Sequence, residues 1–209
     1  MSKLMKAIRN PRLAPKVLHN RIRSTLNKTT AKRSARRSGA KLDLGERISF
    51  QQKTLFTGKV RIKIGSSTSF GVDVGGKYFH NYCEIQARFK ESLIIIGENV
   101  ASNNGLLIIS AERIEIGNDC LIGKDVQMID FDAHGLAPSE RRNSIGKVKP
   151  IVIGRNVWIG NNAIILKGTE IGDNSVIGAG AVITGGKFPS NVVIAGNPAR
   201  ILKELPNGR

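Results

Sequence analysis

A six-residue period between Ile153 and Ile183 constrains the fold of this chain more than any other feature. Glycine follows the aliphatic residue in four of the hexads, and the fifth place is small or β-branched. An α-helix of about 3.6 residues per turn cannot keep residues six apart on one face. A coil of three short parallel strands stacks the aliphatic residues inside and fits the small residues at its corners, so the pattern predicts a parallel β-helix. The aliphatic positions are Ile153, Ile159, Ile165, Ile171, Ile177 and Ile183.

The composition agrees with a core of stacked aliphatic residues. Aromatic residues make up only 5% of the chain, while 23 glycines suit a chain that turns every few residues. Two cysteines, Cys83 and Cys120, do not form a disulfide framework. Cys120 stands at a fifth hexad place, which predicts a small buried residue.

The positive charge is concentrated at the N-terminus. Residues 1–47 contain 14 Lys and Arg against two acidic residues, which is +12 of the formal net charge of +17. We therefore predict a basic arm over residues 1–47, a β-helix domain over residues 48–205 and a tail over residues 206–209. The chain has no apolar run long enough for a transmembrane helix and no apolar signal-peptide core at its start, so we expect a cytoplasmic protein.

The arm has three interpretations. Apolar residues within 1–23 predict one or two short helices interrupted by Pro11 and Pro15, and residues 24–41 are predicted to be mobile because they are polar and basic. The arm is then either solvated or attached to an anionic membrane surface, to which a basic amphipathic segment is attracted. Nucleic-acid binding is disfavoured because no aromatic residue alternates with the charges.

The hexads are interrupted once. A register through Ile116, Ile122 and Met128 reaches His134 after six more residues, which predicts that His134 lies one full coil beyond Ile116, at the end of a face. Residues 135–150 break the period before the hexads resume at Ile153, which predicts a protruding functional loop. At the end of the chain, residues 201–205 are predicted to form a short helical turn or strand that caps the solenoid.

Five motifs in this order resemble the hexapeptide-repeat acyltransferases, over roughly residues 94–203. Within that family, the chain is most similar to the maltose/galactoside O-acetyltransferase-like group, which includes enzymes that acetylate bacterial polysaccharides. The motifs are Asp130-Phe-Asp-Ala-His134, Arg141-Arg142, Asn156-Val-Trp-Ile-Gly160, Gly178-Ala-Gly-Ala181 and Gly196-Asn-Pro-Ala-Arg200.

The resemblance implies a left-handed parallel β-helix, assembled as a homotrimer with active sites between subunits, that uses acetyl-CoA as acyl donor and requires no metal. By position, His134 matches the general base, and Asn103, with Asn104 as alternative, matches a contact to the acceptor. The remaining matches line the acceptor cleft and the coenzyme: Trp158 and Asn161 at the pantetheine and acceptor, Ala179 and Thr184 at the coenzyme arm, and Arg200 and Lys203 near the nucleotide phosphates. The chain departs from the family at Gly185, where a lysine is usual, and Lys187 is a candidate substitute.

The chemistry of acetyl transfer explains the choice of His134. A hydroxyl must lose its proton as it attacks the thioester, and a histidine is a suitable base near neutral pH. Asp130 and Asp132 flank His134, so either one is a candidate to orient the ring or to hold a sugar hydroxyl. Backbone N–H groups are the expected donors to the oxyanion.

We expect an O-acetyltransferase that modifies a sugar hydroxyl of a cell-surface polysaccharide or its lipid-linked precursor, at the inner face of the membrane. The acceptor is thus a saccharide or a glycolipid. One alternative is N-acetylation of an amino sugar or another small acceptor. Another is a non-enzymatic trimeric scaffold whose arm binds membrane or nucleic acid. A zinc lyase resembling the gamma carbonic anhydrases is disfavoured, because it needs three histidine ligands and the chain spreads His19, His80 and His134 widely.

Overall fold

A computed structural model describes residues 14–78 and 80–206. Within these residues, one helix, α1 (Ala14–Ser38), precedes 21 short strands that form three sheets. Sheet A contains β1 (Lys41–Leu44), β4 (Arg61–Ile64), β7 (Leu93–Ile96), β10 (Arg113–Ile116), β13 (Ile151–Ile153), β16 (Thr169–Ile171) and β19 (Gly186–Phe188). Sheet B contains β2 (Ser49–Phe50), β5 (Ser69–Phe70), β8 (Ala101–Ser102), β11 (Leu121–Ile122), β14 (Trp158–Ile159), β17 (Val176–Ile177), β20 (Val192–Gly196) and β21 (Ala199–Glu204). Sheet C contains β3 (Thr54–Gly58), β6 (Cys83–Ala87), β9 (Leu107–Ser110), β12 (Gln127–Ile129), β15 (Ile164–Leu166) and β18 (Val182–Ile183).

The chain visits sheets A, B and C in turn, and each strand pairs in parallel with the equivalent strand of the next coil. Only β20 and β21 pair antiparallel within the described chain. This arrangement is the predicted left-handed parallel β-helix, and the predicted fold class is confirmed. We call the turns between successive sheets the AB, BC and CA corners.

The aliphatic residue at the first place of each hexad points into the core of the coil. Ile153 pairs with Ile171 in sheet A, Ile159 with Ile177 in sheet B, and all four are buried. Upstream of the loop, the register that contains Ile108 and Ile114 is replaced by one that starts two residues later, at Ile116, and this shift also has a structural reason. Ile114 and Ile116 lie on the same strand, β10, and residues two apart on a strand face the same side, so both are buried.

Corner turns stack so closely at Gly154, a second hexad place, that a side chain there would overlap the next coil. A Cβ added to Gly154 would lie 2.5 Å from Oδ1 and 2.7 Å from N of Asp173 in the next coil. The same Asp173 Oδ1 accepts a hydrogen bond from the backbone N of Arg155 at 2.7 Å. Asn156 and Asn174 then take left-handed φ values of 54° and 58°, a conformation that asparagine tolerates better than most residues.

The excursion before Ile153 begins earlier than predicted. Ile116 pairs with Ile153, so Ile153 and not His134 occupies the position one coil beyond Ile116. The chain leaves sheet C after β12, and an antiparallel bridge between Phe131 and Val148 closes the base of the loop. The prediction that His134 ends a face is therefore wrong: His134 belongs to the protruding loop, and the chain returns to the same stack as predicted.

Helix α1 corrects the prediction of a mobile segment. Residues 24–38 are helical, and Ala31 and Ala35 are buried against the first coil. The hydroxyl of Ser24 accepts a hydrogen bond from Phe50 N at 3.1 Å, and the hydroxyl of Ser34 accepts one from Phe56 N at 3.0 Å. These side chains satisfy backbone groups at the open edge of the first coil, a role that a polar composition does not reveal.

The solenoid also starts within the predicted arm. Strand β1 pairs with β4 from Lys41 to Leu44, so the parallel ladder begins before residue 48, the predicted start of the β-helix. Pro15 lies in the first turn of one continuous helix, where proline is tolerated. Pro11 and the remainder of residues 1–13 lie outside the described residues.

At the other end, the predicted cap is a strand. Strand β21 turns back along β20 and extends sheet B by one antiparallel strand. Within the predicted tail, residues 207–209 lie outside the described residues. In the part of the chain that the structure describes, no helix combines the length and hydrophobicity needed to span a bilayer.

Candidate active site

His134 is held in the protruding loop by a backbone carbonyl. Its Nδ1 lies 2.6 Å from the carbonyl oxygen of Arg141, across the loop. Because a carbonyl oxygen only accepts hydrogen bonds, this contact favours, for the neutral ring, the tautomer with the proton on Nδ1 and the lone pair on Nε2. The ring is exposed and lines a shallow depression with Gly135, Leu136 and Arg141. The arrangement leaves Nε2 able to accept a proton from a bound hydroxyl.

An ion pair ties the base of this loop to the solenoid. Lys167 Nζ lies 2.5 Å from Asp132 Oδ1, and the two side chains are only 22% and 25% exposed. Asp132 also exchanges backbone hydrogen bonds with the returning limb of the loop, donating to Lys147 O and accepting from Gly146 N. The sequence reasoning missed Lys167. The feature of the sequence that could have indicated Lys167 is the hexad that begins Ile165-Leu-Lys-Gly. In this hexad the usual second-place glycine is replaced, and a cation lies at the CA corner.

Asp130 stabilises a backbone turn and does not orient the ring of His134. Its side chain is fully buried and accepts hydrogen bonds from Ser110 Oγ at 2.7 Å, Ala111 N at 2.6 Å and Glu112 N at 3.0 Å. These bonds brace the turn of the preceding coil. Arg141 O, and neither aspartate, contacts the ring of His134, so the carbonyl does the orienting.

A second group of candidate residues lines the BC corner. Asn103, Asn161 and Ala179 lie on the turns that follow β8, β14 and β17, and the turn after β11 separates Asn103 from the other two. Oδ1 of Asn161 accepts a hydrogen bond from Lys124 N at 2.7 Å, and Oδ1 of Asn103 accepts one from Asn104 N at 2.7 Å. The alternative residue, Asn104, is buried and fastens a neighbouring segment through Val72 and Gly76, which is a structural task.

A polar cleft that the sequence reasoning also missed adjoins this corner on sheet C. Asp125 lines this cleft and accepts hydrogen bonds from Lys77 Nζ at 3.1 Å and Asn81 Nδ2 at 3.0 Å. Tyr82 and Gln127 line the same cleft. The segment that supplies Lys77 and Asn81 lies outside the hexad pattern, so the six-residue period could not predict the cleft.

The remaining candidates lie on the solenoid surface. Trp158 faces outward on sheet B with 58% of its area exposed, between Leu121 and Val176 of the adjacent strands. Thr184 is exposed at the CA corner after β18. Arg200 and Lys203 are exposed on β21. Lys187, the candidate substitute at the Gly185 departure, pairs with Glu170 at 2.9 Å on sheet A.

One chain therefore carries two separate sets of candidate residues. Asp132, His134 and Thr184 belong to the CA corner, whereas Asn103, Asn161 and Ala179 belong to the BC corner. Successive corners are separated by one side of the triangular coil, roughly 15–20 Å for six residues at about 3.3 Å each. The described chain does not bring the two sets together.

The cysteines take no part in either set. Burial raises the pKa of both Cys83 and Cys120 to about 11, so these thiols are neutral at physiological pH. The prediction that Cys120 is a small buried residue is confirmed. Among residues 14–78 and 80–206, no three His, Cys, Asp or Glu side chains are grouped as metal ligands.

Comparison with known proteins places the repeats in a family. Residues 150–185 match the family model "Bacterial transferase hexapeptide (six repeats)". The chain is 41% identical over 114 residues to the galactoside O-acetyltransferase of Escherichia coli (strain K12), covering 54% of this chain and 55% of that protein. It is 37% identical over 125 residues to the putative lipopolysaccharide biosynthesis O-acetyl transferase WbbJ of the same organism, covering 56% and 63%.

The fold comparison agrees with the sequence comparison. A solved galactoside acetyltransferase in complex with coenzyme A superposes with a TM-score of 0.53 at 25% identity, covering 88% of this chain and 81% of that one. The chain spans a little over half the length of the curated relatives that it matches. The predicted resemblance is confirmed: residues 150–185 match the hexapeptide-repeat model, and the chain is similar in sequence and fold to the galactoside O-acetyltransferases.

Proposed function

We propose that this protein is an acetyl-CoA-dependent O-acetyltransferase that modifies a sugar hydroxyl of a cell-surface polysaccharide or its precursor. The observation that carries the proposal is the 2.6 Å contact between His134 Nδ1 and Arg141 O, which leaves Nε2 as an exposed base. The acceptor hydroxyl transfers its proton to Nε2 while its oxygen attacks the thioester carbonyl. Collapse of the tetrahedral intermediate releases the CoA thiolate, which recovers the proton from the imidazolium.

The separation of the candidate residues supports a homotrimer with sites between subunits. A loop that projects from the CA corner of one subunit can reach the BC corner of a neighbour, although it cannot reach its own. Exposed apolar residues on sheet B, Leu121 and Trp158, supply an outer surface for a partner or for the pantetheine arm. His134 would then act on a donor and an acceptor that are bound mainly by the neighbouring chain.

The exposed candidates are available for the coenzyme. We assign Trp158, Asn161, Ala179 and Thr184 to the pantetheine arm, and Arg200 and Lys203 to the nucleotide phosphates. The two cations are exposed on β21, where they can meet anionic oxygens without displacing an ion-pair partner that fixes the fold. This assignment agrees with the coenzyme A that the solved galactoside acetyltransferase holds.

The polar cleft beside the BC corner suits a saccharide acceptor. Lys77, Asn81 and Asp125 offer donors and acceptors at its wall, and Tyr82 adds an aromatic face. Sugars are bound by such combinations of polar side chains and a ring. Asn103 lies one coil away from Asp125 at the same corner, which supports its role as an acceptor contact. Asp132 is proposed to contact the acceptor from the loop side.

We propose that the reaction takes place on the cytoplasmic side of the membrane, where acetyl-CoA is available. A lipid-linked precursor would place the acceptor at the inner face, so a peripheral position of the enzyme is expected. The resemblance to a relative named for lipopolysaccharide biosynthesis supports this assignment. N-acetylation of an amino sugar uses the same base and differs only in the attacking atom.

The deciding experiment is acetyl-CoA turnover with soluble and lipid-linked glycan acceptors, comparing wild-type protein with His134→Ala. We expect CoA thiol release to fall by 10²–10⁴-fold in the variant, the usual contribution of a general base. Circular dichroism and oligomeric mass serve as controls for folding, since His134 is exposed. Equal activity in the two proteins would rule out His134 as the base, and faster acetylation of an amino sugar would favour the N-acetyltransferase.

A further inference from the structure

The outer face of α1 carries an apolar strip that the solenoid does not use. The inner face, which includes Asn27, Ala31 and Ala35, packs on the first coil. On the opposite side, Leu18, Ile22 and Leu26 follow one another at four-residue spacing and are 59%, 53% and 63% exposed. Four residues advance about 400° around a helix, so the three side chains form one continuous strip. Single exposed aliphatic residues are ordinary, but an aligned set marks a contact surface.

Lysine and arginine side chains lie beside the apolar strip and beyond its C-terminal end on the same side of the helix. Helix α1 contains eight Lys and Arg and no acidic residue. Arg33 and Arg36 lie on the same outer side as the apolar strip, further along the helix, and both are exposed. Lys28 and Lys32 flank it and, with Arg36, line an open groove between α1 and β1. Like charges four residues apart destabilise a helix, so this face carries a local cost that an anionic partner would relieve.

The position of α1 makes the outer face available to a flat partner. The helix contacts β1, β2 and β3, which are the terminal strands of the three sheets. It therefore lies across the N-terminal end of the solenoid, and its outer face points along the solenoid axis, away from the coils. Strand β21, which pairs with the terminal strand β20, lies at the opposite end.

From this geometry we propose that the outer face of α1, defined by Leu18, Ile22, Leu26, Arg33 and Arg36, docks on an anionic lipid bilayer. An interfacial helix lies in the membrane plane with aliphatic side chains among the acyl chains and cations at the headgroups. This face has both components. Nucleic acid fits less well for two reasons. Helix α1 contains no Phe, Tyr or Trp to stack on bases. A phosphate backbone also offers no apolar surface to cover the exposed aliphatic side chains.

Assembly would multiply the effect. In a trimer whose threefold axis runs parallel to the solenoids, all three outer faces point in one direction and meet a single membrane. Three linked weak contacts hold far more strongly than one. This amplification rests on the proposed trimer, whereas docking of the face itself does not depend on acetyl transfer.

The test is vesicle flotation of the full chain, with neutral phosphatidylcholine vesicles and vesicles containing about 30 mol% phosphatidylglycerol, at low and high salt. One variant removes the apolar strip (Leu18→Gln, Ile22→Gln, Leu26→Gln), and a second removes two charges (Arg33→Gln, Arg36→Gln). The matched controls are Leu202→Gln, an aliphatic residue 65% exposed on β21, and the double change Lys90→Gln, Lys187→Gln. Circular dichroism checks that the helix is retained.

We expect the wild type and both controls to float with anionic vesicles only, and to be released by salt. Each α1 variant should lower the partition constant at least tenfold, since each removed cation and each removed aliphatic group weakens interfacial binding several-fold. The proposal is overturned if the wild type does not float, or if the aliphatic substitutions leave binding unchanged. Binding of a single-stranded oligonucleotide without binding of vesicles would instead identify a nucleic-acid surface. Because no acetyl-CoA is present, neither result bears on the proposed reaction.

Discussion

At the scale of single residues, the loop that carries His134 depends on one partly buried ion pair. Asp132 and Lys167 come from positions 35 residues apart and meet at the CA corner. A paired charge that loses its partner in a largely buried place is destabilising, because the remaining charge is poorly solvated. The pair therefore helps to fix where the loop leaves the solenoid, and through the loop it positions His134.

We predict that Lys167→Met lowers kcat about tenfold or more and leaves the KM for acetyl-CoA nearly unchanged, because the base is displaced while the donor site is intact. Hydrogen exchange of residues 131–148 should accelerate in the same variant. Lys167→Arg, which retains the charge, should recover much of the rate. An unchanged exchange rate together with a lost kcat would mean that Lys167 acts in the reaction directly and not through the loop.

The buried thiols give a second prediction at this scale. Because burial raises the pKa of Cys83 and Cys120 to about 11, a thiol reagent at pH 8 should label neither cysteine in the folded protein and both after denaturation. Enzyme turnover should persist after exposure to the reagent. Rapid labelling of the native protein accompanied by loss of activity would point to a covalent acyl-enzyme instead of direct transfer.

At the scale of elements, α1 is a cap and not a free arm. The first coil of a parallel β-helix leaves backbone N–H groups without a preceding strand, and such groups are costly if they stay unpaired. Ser24 and Ser34 supply the missing acceptors, and Asn27 Nδ2 donates to the carbonyl of Phe50 at 3.0 Å. Phe50, Phe56 and Phe70 fill the core beneath, with Phe50 and Phe70 stacked at 5.5 Å.

We predict that Ser34→Ala lowers the free energy of unfolding by about 1–2 kcal/mol, because it leaves the N–H of Phe56 without its acceptor. Thr29→Ala is the matched control: its hydroxyl bonds only to Thr25 O within the helix, and alanine is the better helix former. Chemical denaturation of both variants checks the difference. Equal free energies of unfolding for the two variants would show that water replaces the Ser34 hydroxyl at no cost. The contact between α1 and the first coil would then contribute little to stability at this position.

At the scale of the whole molecule, the two sets of candidate residues lie at different corners of one chain. A symmetric ring in which the CA corner of each subunit faces the BC corner of the next would combine them three times over. The same ring would carry three outer faces of α1 at one end. Catalysis would therefore depend on assembly, and membrane docking would be strengthened by it, although the two use different surfaces.

We predict that two inactive variants complement each other when co-assembled. His134→Ala removes the base, and Ala179→Trp blocks the BC corner, so each homotrimer should be inactive. In a random equal mixture, about one quarter of the interfaces combine an intact loop with an intact corner, and about a quarter of the wild-type activity should return. Mixing assembled homotrimers without exchange is the control. A mixed assembly with no activity would mean that each site is built within one chain.

Much of the fold was predictable because a β-helix repeats the same inward contact at every coil. The hexads from Ile153 to Ile183, the small residues at the corners and the buried Cys120 all follow from that local rule, and the structure agrees with each. The motifs likewise indicated the resemblance to the hexapeptide-repeat acyltransferases and pointed to His134 as the candidate base. These features are determined by residues that lie close in sequence and recur, so a single period contains the information.

The sequence by itself therefore determined the parallel β-helix architecture and the candidate base, whereas the left hand of the coil was expected only from the family resemblance. Only the tertiary structure decided where that base lies, what holds it and what the arm does. His134 left the stack because the chain pairs Ile116 with Ile153, its ring is oriented by a carbonyl seven residues away, and Asp132 pairs with a lysine three strands later in the chain. The helical arm is ordered by the open edge of the first coil. Each of these outcomes depends on a contact that occurs only once in the fold, between residues that are not connected by the six-residue repeat. Such contacts can be identified only in the folded chain.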